Sequence, residues 1–330
     1  MLTAGPRNAI TDVSGLTVGH ATCEKTKSGV TVLRCAEPYV TAVDMRGGAP
    51  ATRETDVFAA ENLVSHAHAI VFSGGSVFGL SAADGVVNLL SAEDVGLRLS
   101  QSSPAIPIVP AAALHDLGND GEKNWGEKSP YPDFGKRACA NASEECAIGA
   151  VGAGRGAMAG ARRGGIGSAS IVLGDGVVVG ALCAINPVGS VYMPDGETFY
   201  AWPWELGDEF GGRSAPATRD DAAPFPPHAR LTYAAAHREN TTLAIVATSA
   251  DLSSVEAKRV AIMAQDGIAR AVRPAHTIFD GDIVFCVATA ATPLPADAAT
   301  PRPVSVAAIG SAAADCLARS IARGVYAAAH

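Results

Sequence analysis

No two cysteines stand at CxxC spacing, and none of the seven has a histidine nearby at zinc-ligand spacing. A disulfide framework and a structural zinc site are both excluded on that basis, and the odd count fits reduced thiols. Basic charge is also short: 25 Lys and Arg face 33 Asp and Glu, a net charge of −8. That balance argues against a nucleic-acid groove or an anionic membrane surface as partner. Apolar runs such as Ile283–Ala288 fall well below the ~20 residues that span a bilayer. The opening segment MLTAGPRNAITDV lacks a basic start followed by an apolar run, so a cytoplasmic protein is expected.

Aromatic residues make up only 5%, whereas the hydrophobic fraction is 48% and there are 35 glycines. Such a chain is too apolar for disorder and suits close packing of small side chains. Its 330 residues fit a large one-piece α/β enzyme. Strands are predicted at Ala9–Val13, Leu16–His20, Val30–Cys35, Tyr39–Asp44, Ala69–Phe72, Leu243–Thr248 and Ile283–Ala288. Ser168–Leu173 and Val177–Ile185 flank Gly174-Asp175-Gly176, a hairpin signal. Helices are predicted at Thr55–Ser65, Val77–Leu90 with Ser76 as N-cap, Phe134–Ala147, Ser254–Val272 and Val304–Ala328. Trp202–Pro227, rich in Pro, Gly and acidic residues, reads as an exposed loop. Several strands are continuous apolar runs, so both their faces are expected to be covered.

Several motifs carry chemistry only in the right context. Gly152–Ala157 satisfies the dinucleotide pattern G-x-G-x-x-[GA], but the preceding segment reads helical and further glycines interrupt any following helix. A nucleotide cofactor is therefore not expected. His66 and His68 have no third ligand at a useful spacing and read as surface histidines at a helix end; no metal is expected. Ser73-Gly74-Gly75-Ser76 is either an anion cradle or, more simply, a tight strand-to-helix turn.

Asn240-Thr241-Thr242 opens directly into the apolar strand Leu243–Thr248. A Thr hydroxyl is a poor nucleophile until a base takes its proton. Were the Asn240–Thr241 bond cut, the new α-amine would have an ordinary pKa of ~7.7–8.0 and sit on the same residue as the hydroxyl. Asp280 and Asp282 flank Gly281 just before a second apolar strand, as solvated turn acids or as a pair able to orient a hydroxyl or an ammonium group. Asn186 ends a third strand, as turn chemistry or as an amide aimed at an oxyanion.

Together these segments resemble the L-aminopeptidase/D-esterase (β-aminopeptidase) family of N-terminal-nucleophile hydrolases, which includes the nylon-oligomer hydrolases. The resemblance runs through NAITDVSGLTVGH (8–20), DMRGGA (44–49), SGGSVFGLSAADG (73–85), VPAAALHDL (109–117), VGAGRGAMAGARRGGIGS (151–168), INPVG (185–189), NTTLAIVAT (240–248) and DGDIVF (280–285). It implies a four-layer αββα sandwich and a single domain cut into residues 1–240 and 241–330, assembled as a homotetramer or larger. It also implies roles: Thr241 as nucleophile and, through its freed amine, base; Asn186 in the oxyanion hole; Asp280 and Asp282 orienting Thr241. Arg163 stands where relatives commonly carry Lys and keeps only the charge. His115 stands where Tyr is frequent, and with Gly74, Gly75 and Ser76 it is a candidate for substrate binding. The acid pair looks like the nylon-oligomer branch. The expected substrate is a small peptide, amino-acid amide, β-peptide or ω-amino-acid oligomer, with no cofactor. The rivals are acyl transfer of the ornithine-acetyltransferase type and a non-catalytic binding protein with the same fold. Thr242 is the neighbouring candidate nucleophile.

Overall fold

The computed structural model describes residues 3–216, 223–230, 240–294 and 300–330. In chain order the strands are β1 (Leu16–Cys23), β2 (Ser28–Met45), β3 (Thr52–Arg53), β4 (His66–Ser73), β5 (Ala111–Ala113), β6 (Met158–Ala159), β7 (Arg162–Arg163), β8 (Gly165–Val172), β9 (Val178–Asn186), β10 (Thr241–Ala250) and β11 (Ile283–Thr292). The α-helices are α1 (Ala82–Ala92), α2 (Tyr131–Ala140), α3 (Ser254–Ala271) and α4 (Arg302–Ala329). Hydrogen-bonded neighbours run β3-β5-β4-β2-β11-β10-β9-β8, with β1 also on β2 and a small β6–β7 ribbon apart.

Three cores separate four layers. The middle core joins Leu243, Ile245, Ile283, Phe285 and Leu182 from one half of the sheet to Val18, Leu33, Ile70, Phe72 and Leu114 from the other. Alternate residues of the first half, Ala244, Val246, Val284 and Cys286, face Val260 and Ile268 of α3 and Ile309 and Leu317 of α4. Val30, Val32, Ala69 and Val71 of the second half face Val86 and Leu90 of α1 and Phe134 and Ala138 of α2. The expected αββα sandwich is what forms. Strands covered on both faces have no polar stripe to display, hence their unbroken apolar runs.

The shortage of aromatics matches how closely the layers approach. A Cβ on Gly167 would lie 1.9 Å from the Ser320 carbonyl oxygen of α4, so only glycine lets that helix rest on β8. By length and composition α4 could cross a bilayer, but it is mostly buried.

Several sequence expectations need correction. Val30–Cys35 and Tyr39–Asp44 are parts of one strand, β2, with a bulge between Arg34 and Tyr39. Its first part pairs with β1 and β4, and its last part with β11, so β2 belongs to both halves of the sheet. Ala9–Val13 holds a 3-10 turn, Ile10–Asp12, because Asp12 folds back onto the Arg7 and Ala9 amides. Thr55–Ser65 contains only the turn Asp56–Phe58; the Asn62 side chain donates to the Asp56 carbonyl and competes with helix continuation. The helix expected to run to Ala147 stops at Ala140, and Ser143 pairs with Val18. Ser76 begins a 3-10 turn ahead of α1 and makes no side-chain cap. His66 and His68 lie on β4, where buried His68 accepts the Ile108 amide at 3.0 Å. Within Trp202–Pro227, Phe210 is buried and Glu209 holds Arg319, so its described part is not simply exposed; residues 217–222 lie outside the described ones. Gly152–Gly154 is a short 3-10 turn, and the amides of Gly152 and Ala153 donate to the hydroxyls of Thr22 on β1 and Thr31 on β2.

Candidate active site

Thr241 is the first residue of β10, which lies between antiparallel β9 and parallel β11. That placement brings three separated segments together. Across β9, Thr241 stands opposite Asn186. On the other side, Asn240 bridges to Asp280, and the Gly281 amide donates to the Asn240 carbonyl oxygen at 3.0 Å. The Thr241 hydroxyl donates to that same oxygen. The carbonyl of the Asn240–Thr241 bond is thus polarised by a backbone amide while the hydroxyl sits against it. A Cβ on Gly281 would be 2.8 Å from Thr241 Oγ1 and from the Ala49 oxygen, so a side chain there would displace the hydroxyl or the loop.

Both acids are buried and aimed inward. Asp282 Oδ1 accepts the Thr242 amide at 2.7 Å, and its Oδ2 accepts the amide and Nδ1 of His276 at 3.0 and 2.9 Å. Asp280 accepts the Val188 amide at 3.0 Å and both the amide and the hydroxyl of Thr277. Burial, and next the Asp282 carboxylate, push Asp280 up to about 6; the bonds from Thr277 and Val188 oppose this.

The DMRGGA motif supports this loop. The amides of Arg46 and Gly47 donate to the Asp282 carbonyl, Gly48 to Thr277 and Ala49 to Asp280. A Cβ on Gly47 would lie 2.2 Å from the Asp282 nitrogen, so glycine is required at that approach.

Asn186 is fully integrated. Its Oδ1 accepts the Met158 amide at 2.9 Å and the Arg230 guanidinium at 3.2 Å, and its Nδ2 donates to the His115 carbonyl at 3.2 Å. His115 thus meets the site through its backbone. Gly74 and Gly75 lie instead against Asp116, whose Oδ1 accepts the Gly75 amide at 2.8 Å, while the Ser76 amide donates to the Leu114 carbonyl. Burial raises the Asp116 carboxyl, against the pull of Ser28 and Gly75. Arg163 stands exposed on the β6–β7 ribbon, and no hydrogen bond or ion pair joins it to Thr241, Asn186 or the two acids among the described residues. Thr242 has a buried hydroxyl facing away from these groups by the alternation of β10.

Sequence reasoning missed His276 and Arg230. His276 adopts a left-handed backbone (φ 55) that turns both its donors onto Asp282. Arg230 donates to the carbonyls of Met158, Asn186 and Pro187. Neither has a motif around it; each acts through a fold-made contact. Among the described residues no group of three or more His, Cys, Asp or Glu stands together as metal ligands.

The αββα layers, with Thr241 and the two acids at adjoining strand ends, define the class of fold. Solved structures agree on the layers. A β-aminopeptidase of Burkholderia sp. superposes with a TM-score of 0.69 at 23% identity, over 98% of this chain and 88% of that one. The L-aminopeptidase D-Ala-esterase/amidase of Ochrobactrum anthropi gives 0.69 at 20% identity, over 98% and 86%. Residues 8–330 match peptidase family S58, and the chain belongs to that family, a family of hydrolases. It is 42% identical to an uncharacterized aminopeptidase of Mycobacterium tuberculosis H37Rv, over 96% of this chain and 93% of that one. It is 29% identical to a 6-aminohexanoate-oligomer endohydrolase of Agromyces sp., over 93% and 82%.

Proposed function

We propose that this protein is a self-processing amidohydrolase of aminopeptidase type, with Thr241 as its N-terminal nucleophile. The observation that carries the reading is the convergence of the Thr241 hydroxyl and the Gly281 amide on the Asn240 carbonyl oxygen. In maturation Thr241 Oγ1 bonds to the Asn240 carbonyl carbon, the bond to the Thr241 nitrogen breaks, and the hydroxyl proton ends on that nitrogen. Water then cleaves the ester, leaving an Asn240 carboxylate and a free Thr241 amine.

In turnover that amine takes the hydroxyl proton, at fixed short range and with an ordinary pKa near neutrality. The hydroxyl attacks a substrate amide, the proton passes to the leaving amine, and water releases the acyl group. Asn186 supplies oxyanion stabilisation together with the Gly281 amide. Asp282 orients the start of β10 through Thr242, and Asp280 holds the Val188 turn next to Asn186. The substrates are short peptides, amino-acid amides or ω-amino-acid oligomers, classes favoured by the aminopeptidase and oligomer-hydrolase names of its relatives.

A denaturing gel of the purified protein tests this. Two fragments, with the smaller beginning at Thr241 on N-terminal sequencing, are expected, and Thr241→Ala abolishes both scission and turnover. One intact band with full activity removes the mechanism; a fragment starting at Thr242 moves the nucleophile.

A further inference from the structure

In the uncut chain Asn240 is 3% exposed, yet among the described residues neither its Oδ1 nor its Nδ2 has a hydrogen-bond partner. Buried carboxamides nearly always find partners, because stripping water from one without replacement is costly. The described surroundings of this side chain therefore supply no polar group matched to it. That matters because of where it sits. In the maturation step the acyl group transferred to Thr241 Oγ1 ends in Asn240, so its side chain occupies the place that the acyl residue of a substrate takes in every later turnover. The nucleophile and the Gly281 donor are the same in both reactions.

We infer that the slot holding the Asn240 side chain is the acyl-side specificity subsite, and that it selects substrates whose acyl residue carries an aliphatic side chain over those carrying a carboxamide. This rests on the proposed nucleophile. A slot without matched polar groups leaves an incoming carboxamide unpaired and loses nothing with an aliphatic group of the same outline. Leucine is the closest aliphatic shape, since it branches at the same atom as asparagine. The same mismatch burdens the uncut chain and is relieved once Asn240 becomes a chain end.

The test compares the leucine and asparagine p-nitroanilides on the mature protein. The expected result is a kcat/KM at least tenfold higher for the leucine substrate. Equal rates, or preference for asparagine, overturn the inference while leaving the nucleophile intact. A second measurement needs no activity: in the uncut Thr241→Ala background, adding Asn240→Leu raises the melting temperature by a few degrees. Asn240→Ala serves if leucine overfills the slot. No rise in either variant overturns the inference. Failure of the wild-type protein to cut itself or hydrolyse either substrate counts against the proposed function instead, and the melting comparison still reports the slot.

Discussion

Asn186 stands directly opposite Thr241 in the β9–β10 ladder, so the amide and the hydroxyl are held in register by strand pairing alone. Neither side chain needs a loop to place it. Asn186 is also tied to Met158 and to His115, which fixes its carboxamide plane.

Replacing Asn186 with Ala removes that carboxamide without touching the ladder. The expected outcome is a fall in kcat of about 10²–10³, the usual effect of losing one oxyanion donor. Steady-state kinetics on an amino-acid amide, with circular dichroism to verify the fold, reads this directly; an unchanged kcat removes Asn186 from the oxyanion site.

Gly281→Ala places a methyl 2.8 Å from Thr241 Oγ1. Maturation should slow by at least about tenfold, since roughly 1.4 kcal/mol of misplacement already costs that much. Timed gels after rapid expression would follow it. A normal maturation rate would mean that the hydroxyl tolerates displacement.

Asp280 sets a pH dependence. Its carboxyl is pushed up to about 6 by burial and then by Asp282, above the ordinary ~3.9 of the unfolded chain. The native state therefore holds this proton more tightly than the unfolded state between those two values. The stabilisation is full below the lower value, declines through the interval and is gone above about 6. In the uncut Thr241→Ala background, Asp280→Asn should remove that decline. Melting temperatures recorded from pH 4 to pH 8 for both variants measure it, and parallel curves would contradict the assignment.

Arg319 is fully buried and grips Glu209 through Nε and Nη2, the Asn8 carboxamide and the Ser170 carbonyl. Burial works to raise the Glu209 carboxyl, but the bonds from Arg319 and Asn8 hold it below the ordinary carboxylate range. Arg319→Ala leaves that buried acid with only the longer ion pair to Arg323 Nε at 3.4 Å, and losing the closer partner is expected to cost about 3 kcal/mol. The expected readout is a lower urea midpoint, largely recovered in the double variant Arg319→Met/Glu209→Leu.

The site was legible from sequence where chemistry and strand signals coincide. Thr241, Asp280 and Asp282 each head an apolar run, so their residue types and positions at strand ends were visible together. The β8–β9 hairpin announced itself through Gly174-Asp175-Gly176. His276 and Arg230 were hidden because one depends on a left-handed turn and the other on a carbonyl cluster assembled from two distant segments, Met158 and Asn186-Pro187.

The fold was legible in its class through resemblance, and only partly in its parts. Val30–Cys35 and Tyr39–Asp44 looked like two strands because Glu37 and Pro38 interrupt the apolar run, whereas a bulge carries one strand through it. Thr55–Ser65 looked helical because a lone turn has the same local composition as a helix start; tertiary packing, absent from local pattern, decides how far it grows. Arg163 came from the resemblance alone, as a departure from Lys, because nothing in the local pattern of the β6–β7 ribbon marks it.

The continuity of β2 has a mechanical consequence. Its early residues lie beneath α1 and α2, while Met45 pairs with Ile283 and leads straight into the amides of Arg46 and Gly47 that grip the Asp282 carbonyl. One continuous strand therefore links the remote helical layer to the loop that holds the acid pair, so repacking at Val30 or Val32 is expected to alter the Asn240–Thr241 segment without any change in what touches it.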